Sequence, residues 1–331
     1  MPANQAISSI SNDLHTLPWQ EGTKPLMLAP LQGLTNRAMR ALFIDWVRPD
    51  AVFTEFMRVS NVSRKTLAPS DLREAASTTG DVPLVAQLVG NNSKALVAAA
   101  RSAEAAGACH INLNMGCPYG RMTTGATGGA MLQHPSLLAE VIPALRQAIA
   151  GTFSIKLRAG YDDPGQIFSL LPLFEAAGVD FLVLHPRTVV QKYAGSADHS
   201  ITGRVVRQTS LPVIANGDIR TATAGLRILE ETAAAGLMLG RGAIADPLLF
   251  ERLRQRNTKE PTGAETAAML HRYLRDLLAR YSLLFCGEKQ ILDKTKNVVA
   301  FIDDPAFTRQ VSEMKRAKSL AALTTLIEAL K

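Results

Sequence analysis

Eight short, β-rich apolar segments recur along the first 240 residues, at 26–30, 51–54, 84–88, 110–114, 154–158, 181–185, 212–216 and 236–240. Between them lie stretches such as 93–106, 137–150 and 221–234, whose apolar residues fall at helical spacing. Eight strand–helix units in that length predict an α/β fold, a (β/α)₈ TIM barrel. A doubly wound sheet is the competing architecture, but the turn after the first segment lacks the Gly-x-Gly-x-x-Gly pattern of dinucleotide-binding sheets. Beyond Phe250 only helical patterns remain, at 265–279, 289–302, 307–315 and 320–330, after a linker containing Lys259, Pro261 and Gly263. The reading is an N-terminal extension (1–24), a barrel (25–258) and an all-helical C-terminal domain (259–331).

A chain of 331 residues with 47% hydrophobic content can bury a sizeable core. No apolar run reaches the roughly 20 residues that a bilayer-spanning helix needs. The first twenty residues lack the basic-then-apolar order of a signal peptide, which points to the cytoplasm. The three cysteines, Cys109, Cys117 and Cys286, show neither metal-ligand spacing nor a disulfide framework, and no other cluster suggests a metal. Cys109 and Cys286 are expected to be buried packing residues. Net charge is +7, and residues 251–331 hold 15 Lys/Arg against 10 Asp/Glu. That basic tail suggests a polyanionic partner, with a solvated helical surface as the alternative.

The carboxyl ends of the strands build the active site of such a barrel. Here the ends carry Glu55, Gln87, Asn114, the pair Lys156 and Arg158, the pair His185 and Arg187, Asn216-Gly217-Asp218 and Gly240-Arg241-Gly242. Any one of these has a bland explanation; their recurrence at one face does not. The glycine-bearing turns after the last two segments suit a phosphate held by backbone N–H groups, with Arg241 adding charge. Lys156 in the barrel mouth would stabilise an anion, as at the N1/O2 edge of a reduced flavin. Cys117 follows a strand end on a tight Gly/Pro turn. A thiol of ordinary pKa, near ~8.5, can donate a proton or be activated as a nucleophile.

The segments 29–36 (APLQGLTN), 54–56 (TEF), 87–90 (QLVG), 114–118 (NMGCP), 156–158 (KLR), 185–188 (HPRT), 215–218 (ANGD) and 240–243 (GRGA) resemble, in this order, the tRNA-dihydrouridine synthase family. The resemblance covers about residues 25–250, and NMGCP is its most specific part. It implies non-covalently bound FMN, reduction by NADPH, and reduction of the C5–C6 double bond of a uridine in tRNA. Hydride would reach C6 while Cys117 protonates C5. The resemblance further implies that Asn114 orients base and flavin, and that Gln87, Lys156 and His185 hold the isoalloxazine and ribityl portions with Pro30 against the ring. Asn216, Gly217, Asp218, Gly240 and Arg241 would line the phosphate end. Glu55, Arg158 and Arg187 are candidate substrate contacts. Lys294 and Lys296, in a segment similar to the family's tRNA-facing helix, are candidate RNA contacts. The protein is expected to act as a monomer.

The chain departs from the family pattern at Leu31 and Gln32, at Pro186, and after Pro118, where Tyr119-Gly120-Arg121 stands in place of a common lysine. Residues 54–59 (TEFMRV) resemble the bacterial C-type branch, which implies position sixteen of the D-loop. Two other readings compete. One is an FMN barrel reductase of a small pyrimidine or enoate-type substrate, for which the basic tail has no use. The other is a non-catalytic RNA-binding protein, against which Cys117 and Lys156 stand.

Overall fold

The structure is a computed structural model that describes residues 16–61, 65–77, 80–119 and 125–330. Arg121 and the first fifteen residues of the N-terminal extension lie outside the described residues. Among the described residues, no helix is long and apolar enough to cross a membrane.

Among the described residues, nine parallel strands run β1 (Leu26–Leu28), β2 (Ala51–Phe53), β3 (Met57–Arg58), β4 (Leu84–Val89), β5 (His110–Met115), β6 (Thr152–Gly160), β7 (Phe181–Thr188), β8 (Val213–Asn216) and β9 (Gly236–Leu239). Eight of them form the barrel. It closes where β1 pairs with β9, Met27 opposite Met238, while β2 pairs with β4. The ninth is the two-residue β3, which extends the rim by pairing Met57 with Leu88.

The outer ring consists of α1 (Arg37–Val47), α2 (Pro69–Ala75), α3 (Ser93–Ala105), α4 (Pro135–Ala148), α5 (Gln166–Ala176), α6 (His199–Gln208), α7 (Ala222–Thr232) and the short α8 (Arg241–Ala245) and α9 (Leu249–Arg254). Several helices begin at side-chain caps. Asn36, Asn92, Asp198 and Thr221 each accept a first-turn backbone N–H.

Strand alternation decides what faces the barrel interior. At its amino end the interior is apolar, with Met27, Phe53, Val85, Phe181, Val183, Ile214 and Met238 in one cluster. Trp19 seals this floor, its ring edge-on to Phe181 at 4.9 Å between centroids. Further along β4 to β8 the inward side chains turn polar: Gln87, Asn112 and Ser154, then Asn114, Lys156, His185 and Asn216. The intervening residues, Ile111, Leu113, Ile155, Leu157, Leu182 and Leu184, face outward into the core beneath the helices.

From α10 (Gly263–Leu284) the chain is helical, continuing through α11 (Glu288–Val299), α12 (Thr308–Arg316) and α13 (Leu320–Glu328). Thr262 and Glu265 form a reciprocal capping box at the start of α10. Among the described residues, the core of the helical part is continuous with that of the barrel's outer layer. Leu270, Tyr273, Leu274 and Leu277 of α10 join Met39, Leu42 and Phe43 of α1 and Phe250 of α9 in one continuous cluster. The seam also carries polar contacts: Trp46 donates to Asp276 at 2.8 Å, and Arg280 pairs with Asp45 at 2.8 Å.

The expectation that Cys109 and Cys286 are buried is overturned; both are exposed. Cys109 lies in the turn that precedes β5 at the amino end of the barrel, and Cys286 lies between α10 and α11 beside Gly287, whose φ is +90°.

Candidate active site

A cavity of about 460 Å³ opens at the carboxyl end of the barrel, within the size range of small-molecule and cofactor sites. Pro30, Leu31, Leu34 and Phe56 form its apolar wall together with Phe301, which the helical region contributes. Its polar lining is Asn114, Cys117, Lys156, Arg158, His185, Asn216, Asp218 and Arg241, with Gly217 and Gly240 at the turns. A larger groove of about 890 Å³ lies between α9 and α10 and contains no thiol and no buried lysine.

Cys117 is placed by Asn114. The Asn114 Oδ1 accepts the N–H groups of Gly116 and Cys117, both at 3.1 Å, and so folds the turn over the strand end. The Cys117 carbonyl in turn accepts the Gly129 N–H at 3.1 Å. A Cβ on Gly129 would stand 2.6 Å from Val189, so the 128–129 glycine pair is needed for this close approach. The sequence shows that pair, but only the fold shows what it serves.

Gln87 does not reach the cavity. It is fully buried beneath Asn114, accepting from Asn114 Nδ2 at 2.9 Å and donating to Asn112 at 2.8 Å; Asn112 donates to Ser154 at 2.8 Å. Gln87 thus belongs to a chain of amides that fixes Asn114 from below.

Lys156 pairs in register with Asn114 across β5 and β6, and its Nζ donates to Asn216 Oδ1 at 3.0 Å. Asn216 is itself held by donating to the Met238 carbonyl at 2.8 Å. Desolvation, reinforced by Arg158, lowers the Lys156 pKa to about 8. The ammonium is thus only partly compensated by protein.

Burial, and then the cations Lys156, Arg158, Arg187 and Arg241, push the His185 pKa far down, so this imidazole is neutral. Its Nε2 lies 3.1 Å from Arg187 Nη1. The guanidinium can only donate, so Nε2 is the acceptor and the ring proton sits on Nδ1.

The two arginines expected to touch substrate are engaged by the protein. Arg158 donates to the carbonyls of Gly116 at 2.9 Å, Thr188 at 2.8 Å and Lys192 at 2.5 Å. Arg187 is buried and grips both oxygens of Asp218, at 3.0 and 2.6 Å, together with the carbonyls of Ala194 and Gly195. Both guanidinium groups staple the loop after β7 to its neighbours, although Arg158 still lines the cavity.

Asp218 also accepts Arg241 Nη2 at 3.1 Å and the Ala197 N–H at 2.8 Å. Burial opposes its charge, but the Arg187 and Ala197 hydrogen bonds and both arginines outweigh it and hold the pKa below the usual carboxylate value. Asp218 and Gly217 both have positive φ, +52° and +122°. At Gly217 a Cβ would stand 2.9 Å from the His185 ring, so only glycine leaves this turn open to the cavity.

Glu55 lies outside the cavity lining, beside the Gly33 backbone. Its Oε1 is buried without a hydrogen-bond partner, and desolvation raises its pKa, opposed by the Gly33 backbone and Lys294. Lys294 Nζ approaches the Gly33 carbonyl at 3.4 Å, and Lys296 Nζ donates to the Ala317 carbonyl at 3.0 Å. Both lysines are half-buried, whereas Lys289, Lys315, Arg316 and Lys318 are exposed.

The family model of dihydrouridine synthase (Dus) matches residues 27–330, nearly the whole chain. The chain belongs to the dihydrouridine synthase family. A Rhodobacter capsulatus protein named "Probable tRNA-dihydrouridine synthase" is 31% identical over 310 residues, covering 92% of this chain and 93% of its own length. The tRNA-dihydrouridine(16) synthase of Haemophilus ducreyi is 32% identical over 257 residues, 75% of this chain and 78% of its own. Among solved structures, TcOYE crystallised with pHBA aligns over 73% of this chain and 92% of its own, with a TM-score of 0.52 at 14% identity, a likeness of fold. This dihydrouridine synthase is accordingly an enzyme, a flavin-dependent oxidoreductase on a TIM barrel with a helical C-terminal region.

The residues present fit a flavin mononucleotide. Gly217 and Gly240 keep two turns free of side chains at the cavity, Arg241 supplies a positive charge beside them, and Lys156 supplies a second one deeper in. That is the donor set a phosphate at one end and an electron-rich ring edge at the other require.

Proposed function

We propose that this dihydrouridine synthase uses FMN and NADPH to reduce the C5–C6 double bond of a uridine in the D-loop of tRNA, at position sixteen. The observation that carries the reading is the placement of the Cys117 turn, fixed by Asn114, at the mouth of a cavity whose interior holds Lys156. When bound, FMN supplies the hydride for C6.

The chain's own residues do the rest. Cys117 donates the proton to C5, from a turn that two hydrogen bonds to Asn114 hold still. Lys156, held by Asn216, would offer a positive charge to the electron-rich edge of the ring. Neutral His185 presents a hydrogen-bond donor at Nδ1, and Pro30, in the cavity wall, would offer an apolar face to the ring. Gly217, Gly240 and Arg241 receive the phosphate, with Asp218 orienting Arg241. Gln87 acts through Asn114, and Arg158 and Arg187 act through the loop they staple.

A folded tRNA needs phosphate contacts beyond the cavity. The exposed Lys289, Lys315, Arg316 and Lys318 of the helical region supply that charge, while Lys294 ties the region to the barrel at Gly33 and Lys296 braces it internally at Ala317. Position sixteen is supported by residues 54–59 and by the name of the Haemophilus ducreyi relative.

The test is nucleotide-resolved mapping of dihydrouridine in tRNA from a host strain lacking this gene, with and without its re-expression. One D-loop position should lose its modification and regain it. An unchanged map would refute the assignment.

A further inference from the structure

Four large apolar or aromatic side chains are exposed among the described residues, and three of them, Tyr119, Tyr193 and Val190, lie on the Cys117 turn or on the loop after β7. Tyr119 and Tyr193 both line the catalytic cavity, Tyr193 at 37% and Tyr119 at 50% exposure. They stack on each other, with ring centroids 5.9 Å apart and planes 29° from parallel. The Arg241 guanidinium lies 4.3 Å from the Tyr193 ring centre and that of Arg158 lies 5.3 Å away. A row of planar groups therefore starts at Arg241, which Asp218 fixes, passes through Tyr193, and ends on the solvent side at Tyr119.

Such an arrangement is costly for a protein that does not use it, because aromatic surface left in water forgoes the gain of burial. It is suited to nucleic acid. A uridine that enters the cavity has left its stack, and the bases beside it lose a stacking partner. An exposed aromatic ring offers a replacement that accepts any base, since every base has a π-face. Lys192, whose Nζ lies 6.0 Å from the Tyr119 ring centre, adds a positive charge where the intervening phosphate would pass.

We infer that the Tyr119–Tyr193 pair is the stacking platform for a nucleobase adjacent to the target uridine, with Tyr119 as its outer surface. This rests on the proposed reduction of uridine in RNA. The structure supplies the rings and the charges, and the substrate class supplies the base.

The platform is tested with D-loop transcripts carrying 2-aminopurine at each neighbour of the target in turn, bound without NADPH to the Cys117→Ala protein so that turnover is negligible. Fluorescence should be quenched at one neighbour, and the quench should be lost in Cys117→Ala/Tyr119→Leu. In otherwise wild-type protein, Tyr119→Leu should raise the KM for tRNA on the order of tenfold, and Tyr119→Phe should restore it. On a transcript abasic at that neighbour, the Leu variant and the wild type should have the same KM. Quenching at neither position, or an equal penalty on the abasic transcript, overturns the inference. So does a Tyr119→Leu protein whose flavin is reduced slowly by NADPH while its tRNA KM is unchanged, since the row would then serve the nicotinamide. Wild-type turnover of the unlabelled transcript separates the platform from the reaction it serves. Product without quenching removes the platform alone, whereas absence of product removes the reading beneath it.

Discussion

Asn114 and Cys117 are joined through the backbone: the Asn114 Oδ1 accepts the Cys117 N–H at 3.1 Å while its Nδ2 donates to Gln87 at 2.9 Å. One side chain thus links the buried amide chain of the barrel to the turn that carries the thiol. Removing Gln87 should disturb the thiol without touching the cavity wall. Gln87→Leu leaves the buried Asn114 amide and Asn112 carbonyl without their partner, at about 1–3 kcal/mol each. The expected result is a lower melting temperature, together with a fall in the dihydrouridine formation rate that exceeds any change in flavin content. Wild-type turnover in a protein of reduced stability would show that Asn114 does not need this support.

Lys156 carries a pKa of about 8, lowered first by desolvation. Its charge should therefore fade through pH 8 in the flavin-free protein, and affinity for FMN should weaken above that pH. Bound anionic ligand favours the protonated form and moves the midpoint upward. Lys156→Met should remove this pH dependence and weaken binding at every pH. Fluorescence titration of flavin from pH 6.5 to 9.5 measures both, and an identical pH profile in the variant would exclude Lys156 as its source.

The barrel was legible because a strand buried on both faces is a short apolar run, and because polar residues at the carboxyl ends of such runs interrupt the pattern at one face. What escaped was set by tertiary contact. Two residues, Met57 and Arg58, are too few to show a period. That Arg158 and Arg187 also hold loop carbonyls was not legible, because those loops follow a course that no local pattern encodes. Tyr119 and Tyr193 are far apart in the chain and meet only because β5 and β7 flank β6. The cysteines at 109 and 286 sit in turns, where the general tendency of thiols to be buried does not apply.

The neutral imidazoles make stability depend on pH. Burial lowers the His110 pKa to about 4, and that of His185 further still. Below the unfolded value near ~6.5, the unfolded chain takes up protons that the native state refuses, so stability is full above that pH and falls as pH drops. Each histidine contributes a slope of up to about 1.4 kcal/mol per pH unit, which for His110 ends near pH 4. Urea midpoints at pH 7.5 and 5.5 should differ accordingly, and His110→Gln should reduce the difference. Equal midpoints would contradict the burial of neutral histidines.

The lysines of the helical region should divide into two classes. Replacing exposed Lys289, Lys315 and Lys318 with Glu should weaken tRNA binding and flatten its salt dependence, by about 0.7–0.9 in log–log slope for each phosphate that the protein no longer neutralises. Melting temperature should hardly change. Lys294→Ala and Lys296→Ala remove groups that bond to backbone carbonyls, so they should lower the melting temperature instead. Filter binding across a salt series, alongside thermal melts, distinguishes the classes; a larger drop in salt slope for the half-buried pair would reverse the assignment.

The central claim is that Cys117 supplies the proton for reduction of a uridine in tRNA, and its most direct test is single-turnover dihydrouridine formation by protein whose flavin has been reduced beforehand. Wild-type protein should convert tRNA in proportion to its reduced flavin. Cys117→Ala should retain flavin and its reduction by NADPH yet form product some 10²–10⁴-fold more slowly, the range expected for loss of a general acid. Equal single-turnover rates in the two proteins would contradict the account.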